Sequence, residues 1–201
     1  MNAHAAHAFK EWSAIVNALG AGAQTLILRK GGIAEGSGGF DPTRARRFWL
    51  FPTLFHAQRE KLKAAAAPCL DLDERHSAAV DPSAPPSLRF YADLVAHRFL
   101  SDWTDVAALD TFHLWTEATI RERFDWAKPA GLHLLLVRVY RLDSSLALPA
   151  GLDLGGCKSW IEVPLPCPPT GSISTPALND SAFAAARAAL PLALQGDTTT
   201  R

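Results

Sequence analysis

Phe9, Trp12, Ile15, Val16 and Leu19 recur at three- and four-residue intervals. That spacing predicts an amphipathic helix with Gly20 as the left-handed residue that closes it. Thr25–Leu28 reads as a short strand that delivers Arg29 and Lys30 at its end, before the glycine-rich run Gly31-Gly32 and Gly36-Ser37-Gly38-Gly39. Phe48–Phe51 is a second strand, stopped by Pro52, which suits the start of a helix over Thr53–Ala66 that Pro68 ends. Residues 68–87 carry four prolines and predict a surface loop. Leu88, Tyr91, Leu94, Val95 and Phe99 then form a helical stripe over Ser87–Leu100.

Phe112–Trp115 reads as a short strand and Glu117–Trp126 as a short helix. Leu132–Leu142 is the clearest strand, β-branched and aromatic but interrupted by Arg138 and Arg141. Lys158–Val163 is the last strand before the proline-rich Pro164–Pro169, and Ala182–Leu194 is an alanine-rich helix. Strands and helices alternate irregularly, with short connections and no internal repeat. The expected fold is α+β: one domain, a mixed and mostly antiparallel sheet that could close toward a barrel, and helices packed around it. Residues 8–165 are expected to form the core domain, and residues 166–201 a C-terminal extension of helix and disordered end.

A chain of 201 residues with 48% apolar and 20% charged side chains can bury a core without disulfides or metals. Its 20 basic and 20 acidic residues balance, so net charge argues for neither nucleic acid nor membrane. The distribution is polarised, however. Gln24–Lys63 holds eight Lys/Arg against three acids, while Ala64–Asp125 holds eleven acids against five arginines. A basic face can therefore exist at zero net charge. Three cysteines without CxxC spacing predict reduced thiols rather than a disulfide framework. The N-terminus lacks the basic and apolar regions of a signal peptide, and the longest apolar run falls far short of the ~20 residues that span a bilayer. These features predict a soluble, cytoplasmic protein without membrane association.

Several chemistries drop out. Gly151–Ser159 approaches the phosphate-binding GxxxxGK[ST] string, but Cys157 intervenes before Lys158 and a strand follows instead of a helix. GxSxG, HExxH and a strand-borne E-x-K are absent. The carboxylate cluster Asp71-Leu72-Asp73-Glu74 lies in the proline-rich loop region, where a solvated charge run is the simpler reading. No metal and no cofactor are expected.

What remains is a set of polar residues at element ends. Arg29 and Lys30 precede glycines that allow close backbone approach to an anion. His56, one turn into the predicted helix after Pro52-Thr53, could hold phosphate or act as an acid–base group. His113 and Trp115 share one face of their predicted strand, and Trp115 is a candidate base-stacking platform. Arg138 sits between Leu136 and Tyr140 and needs either a ligand or a carboxylate such as Glu117 or Glu162. Lys158 stands beside Cys157 at a strand start. For each residue taken singly an ordinary structural role competes. Convergence of several of these cations would mark a site.

Lys10-Glu11-Trp12 with Ala18-Leu19-Gly20, the string QTLILRKGGI over residues 24–33, FWLFPTLFHAQ over 48–58, residues 112–142, and GCKSWIEV over 156–163 together resemble the domain of unknown function 1802 family of bacteria and plants. The resemblance runs over roughly residues 8–165. In the family pattern FPT is followed by two residues and an adjacent His-Gln; here Ala57 separates His56 from Gln58, which on a helix would turn Gln58 by about 100°. The resemblance assigns no activity. Some members look fused to restriction-endonuclease-like domains, which implies work beside nucleic acid and a link to restriction-type defence. The leading expectation is a nucleic-acid- or nucleotide-binding module. The alternatives are a small enzyme on an anionic substrate, with His56 as acid–base group and Arg29 and Arg138 as clamps, or an interaction module whose acidic segment 64–125 meets a basic partner.

Overall fold

A computed structural model describes residues 5–31, 39–54, 57–72, 87–149, 151–152, 154, 156, 158–168 and 174–191. Within them, seven strands form one sheet: β1 (Ala6–Trp12), β2 (Leu26–Arg29), β3 (Arg47–Thr53), β4 (Ser87–Leu100), β5 (Leu132–Ala147), β6 (Trp160–Val163) and β7 (Ser174–Pro176). The order is β2-β5-β4-β3-β1-β6, and β7 joins β5 at Tyr140–Leu142, beyond the stretch that takes β2. Only β1 and β3 run parallel; the other pairings are antiparallel. The helices are α1 (Ser13–Gly20), α2 (Trp103–Ala107), α3 (Glu117–Asp125) and α4 (Asp180–Ala189), with residues 67–72 also helical. The mixed, mostly antiparallel α+β fold is therefore as expected. Among the described residues no helix is long and apolar enough to cross a membrane.

The apolar periodicity at the N-terminus spans two elements rather than one helix. Phe9 and Trp12 belong to β1, inserted between β3 and β6, and the helix begins only at Ser13. β1 is covered on both faces, so it shows no polar alternation, and even Lys10 and Glu11 are buried. Gln58 starts α1 from outside: its side-chain oxygen accepts from the Ala14 amide at 3.4 Å, and its amide nitrogen donates to Ser13 Oγ at 3.3 Å. Gly20 does not end the helix as a left-handed residue; Gly22 takes that conformation (φ 72°). A side chain at Gly20 would collide with the Phe90 ring, which explains the glycine by packing.

β4 is the largest departure, because Ser87–Leu100 is a 14-residue strand and not a helix. Its ladder with β5 shifts register between Leu88 and Phe90 and again between Leu94 and Ala96. Each irregularity moves the inward face by one residue, so apolar positions fall three and four apart and imitate a helical stripe. The predicted helix over Thr53–Ala66 is also replaced. β3 continues through Pro52 to Thr53, and single 3-10 turns follow at Gln58–Lys61 and Ala64–Ala66. Beyond Trp49, β3 pairs with β1 only, so a proline there is tolerated on the open side. The predicted strand Phe112–Trp115 is the end of a 3-10 turn (Asp110–Phe112) plus an extended segment, with one isolated bridge from Trp115 to Leu62.

The main core gathers α1, β2, β5 and the inner residues of β3 and β4, with Trp115 and the buried residues Ile120 and Phe124 of α3. A second cluster lies around Trp49, Tyr91, Val163 and Leu165. Residues 174–190 are part of this body. Phe183 and Leu190 are buried in the main core, and Trp49 Nε1 donates to the Pro166 carbonyl at 3.1 Å. The sheet also curls. β2 and β6 are its opposite ends, yet Arg29 at the end of β2 donates from Nε to Oγ of Ser159, just before β6, at 2.9 Å. A side-chain bridge thus brings the two ends together, and the cavity described next opens at that junction.

Candidate functional site

Where β1, β2 and β3 end, their last residues and α3 line an open cavity of about 490 Å³. Its walls are Lys10 and Trp12 from β1, Arg29, Lys30 and Gly31 after β2, Thr53 and Leu54 after β3, Lys61, four residues of α3 and its C-cap (Thr119, Glu122, Arg123, Trp126), and Gly156 and Lys158 before β6. Six cations therefore face this space against one carboxylate, Glu122, which pairs with Lys61. At the mouth stand two exposed apolar side chains, Leu54 (77% exposed) and Trp126 (58%).

The floor is a buried charge cluster. Glu11 has a fully buried side chain, with Arg29 Nη1 3.7 Å from its Oε2 and Arg123 Nη2 4.0 Å from its Oε1. Oε1 also accepts the Trp12 amide at 2.7 Å, while Oε2 has no hydrogen-bond donor among the described residues. Arg123 lies between two indoles, 4.7 Å from the Trp12 ring centroid and 4.8 Å from that of Trp115, and donates from Nη1 to the Leu28 carbonyl at 3.1 Å. Burial, and then the neighbouring Arg29, lower its pKa to about 10 against the opposing pull of Glu11, so it stays charged at neutral pH. Two arginines around one carboxylate leave the floor with net positive charge.

Each wall cation is held differently. Lys10 Nζ donates to the carbonyls of Leu154 and Gly156 at 2.8 and 2.9 Å, tying the segment before β6 to β1. Lys30 Nζ donates to the Pro129 carbonyl at 2.5 Å, and its pKa is lowered by burial first and by Lys128 second. Lys158 is exposed and meets no carboxylate among the described residues. The lining is positive and partly desolvated, and Gly31 and Gly156 bring backbone to its wall.

Of the residues that the sequence singles out, Arg29, Lys30 and Lys158 come together here. His56 lies outside the described residues, so its distance to the arginines is not on view. Trp115 is wholly buried behind Arg123, and a ring at that depth offers no face to a ligand. His113 is buried beside it, with ring centroids 5.7 Å apart, and lines a separate small cavity with Asp110 and Glu117. Arg138 does not join the cavity either. It pairs with Asp180 of α4, not with Glu117 or Glu162, and lies over the rings of Tyr140 and Phe183. Its strand position faces α4, on a part of β5 away from the β1–β2 ends. Glu11, Trp12, Arg123 and Trp126 carry much of the site and are not among the sequence candidates. The signal for Glu11 was two adjacent charged residues, Lys10 and Glu11, inside an otherwise apolar run. Among the described residues no cluster of three metal-ligating side chains occurs.

The family model for a domain of unknown function (DUF1802) matches residues 8–189. This chain belongs to that family. For this DUF1802 member the match runs past residue 165, through β7 and α4. No curated protein matches the sequence. Among solved structures, the chain is similar to ASCH from Zymomonas mobilis, at 16% identity over 66% of each chain, just under two thirds of that protein's length, with a TM-score of 0.40. A tyrosine-to-phenylalanine mutant of the same Zymomonas mobilis protein gives 16% identity over 77% of this chain and 88% of that one, with a TM-score of 0.46. Superpositions this loose fix neither fold nor activity.

Proposed function

We propose that the DUF1802 domain of this chain is a nucleotide- or nucleic-acid-binding module, and that the cavity above Glu11 receives the phosphate. The observation that carries this reading is the charge of the site: six cations around about 490 Å³, against Glu122, already paired with Lys61, and the buried Glu11 that Arg29 and Arg123 share. Like charges held together and partly desolvated raise the free energy of the empty site, and an anion relieves that repulsion. Aromatic side chains beside the cations distinguish a nucleotide phosphate from an isolated inorganic anion. Trp12 and Trp126 both line the cavity, and every base has a face that stacks on indole.

The test is a titration of the protein with fluorescent nucleotides and with short labelled RNA and DNA at about 50 and 200 mM salt. Binding that weakens with salt and is lost in Lys158→Gln supports the reading. Failure of every probe to bind, or binding indifferent to salt and to Lys158, removes it. The enzyme alternative turns on His56, outside the described residues.

A further inference from the structure

Resting on that reading, we infer that the ligand is a free mononucleotide, seated alone with its base on Trp126, rather than a strand passing through. A strand needs cations that continue beyond one nucleotide, because its affinity accumulates phosphate by phosphate. Among the described residues near α3 such a track is interrupted. Lys61 pairs with Glu122, Arg121 with Asp125 and Lys63 with Asp110. A phosphodiester leaving along α3 would meet Glu122 and Asp125 next. Inside, by contrast, Arg29 and Arg123 share a single carboxylate, and Lys30 and Lys158 have none among the described ion pairs. Positive charge without a matching carboxylate thus gathers around a space of about 490 Å³, within the ~300–1,000 Å³ typical of small-molecule sites.

The aromatic side is equally local. Trp126 is 58% exposed directly after α3 and is the only indole among the described residues with most of its surface free. Trp12 has one face covered by Arg123 at 4.7 Å, which fixes its ring as wall rather than as a mobile platform. One exposed indole beside one pocket of cations matches one base and its own phosphate. Successive stacked bases would need a second platform, and among the described residues the other exposed ring, Phe99, does not line the cavity.

Calorimetric titration of the full chain with nucleoside 5′-monophosphates, ribose 5-phosphate and single-stranded oligonucleotides of increasing length tests this. The expected result is that the mononucleotide binds about tenfold more tightly than ribose 5-phosphate, a usual scale for one stacked base. Oligonucleotides gain nothing with length, and the salt dependence corresponds to one or two contacts. Trp126→Ala, at an exposed site, should bring the nucleotide down to the level of ribose 5-phosphate while leaving ribose 5-phosphate binding unchanged. Affinity that climbs with oligonucleotide length and with a steepening salt slope overturns the mononucleotide while leaving the nucleic-acid reading in place. Equal affinity for nucleotide and ribose 5-phosphate removes the base from the site. If no phosphate compound binds at all, both the inference and the reading beneath it fall.

Discussion

Arg123 Nη2 lies 4.0 Å from Glu11 Oε1, and the Arg29 guanidinium closes on the other carboxylate oxygen at 3.7 Å, so a single buried anion holds two arginines from α3 and β2. Removing that anion should be costly even though each pair is long. Glu11→Gln retains an oxygen for the Trp12 amide but leaves two guanidinium groups facing each other without compensation. We expect a stability loss on the order of 3 kcal/mol, the scale for breaking a buried pair, read as a lower chemical-denaturation midpoint. A midpoint within error of wild type would mean that the floor is already screened by solvent.

Arg138 gives the opposite expectation. Its partner Asp180 is 89% exposed, and exposed pairs contribute little, about 0–1 kcal/mol. Arg138→Met puts an unbranched apolar side chain where the guanidinium lies over the Phe183 and Tyr140 rings and loses the charge. The variant should lose less than about 1.5 kcal/mol and bind any ligand of the cavity as wild type does. Lost binding in a fully folded Arg138→Met protein would return this residue to the site.

These two arginines illustrate what sequence can carry. Arg29 and Lys30, at a strand end before Gly31, and Lys158, beside Cys157 at a strand start, were legible because their settings are local. Arg123 looks like any solvated helix residue, and only the fold brings it to Glu11, far away in the chain. The same divide runs through the fold. β5 and α3 follow their local patterns, with Thr116 capping α3 as its side chain accepts from the Thr119 amide. β1 and β4 do not. A strand buried on both faces loses its alternation, and register shifts give β4 a false helical period.

The C-terminal segment should be needed for stability. β7 pairs with β5, and Phe183 and Leu190 are buried, 8% and 2% exposed. Burying two such side chains contributes about 1.5–3 kcal/mol each, a large share of the 5–15 kcal/mol that holds a domain together. A chain ending at Leu165 should lose its cooperative thermal transition or show it far lower, and Phe183→Ala alone should cost about 3 kcal/mol. An unchanged melting curve for the shortened chain would show that residues 8–165 fold alone.

The pH dependence of stability should carry the mark of His113. Burial, reinforced by Lys63, lowers its pKa from the ordinary 6.5 to about 4, and its Nδ1 lacks a partner among the described residues. In the folded protein His113 is therefore neutral at pH 5–6, where the unfolded chain is already taking up a proton. Since the unfolded state binds more protons there, stability rises with pH across this window. The contribution is complete above about pH 6.5, erodes as pH falls, and is exhausted near pH 4, where folded and unfolded forms are both protonated. The two pKa values, 6.5 and about 4, correspond to about 3 kcal/mol. His133, also lowered by burial, adds in the same direction. Melting temperatures at intervals from pH 7.5 to about pH 4 for wild type and His113→Phe should therefore diverge: wherever the variant starts, it should lose less on acidification. Parallel curves would show that His113 reaches water in the folded state and that acid sensitivity has another source.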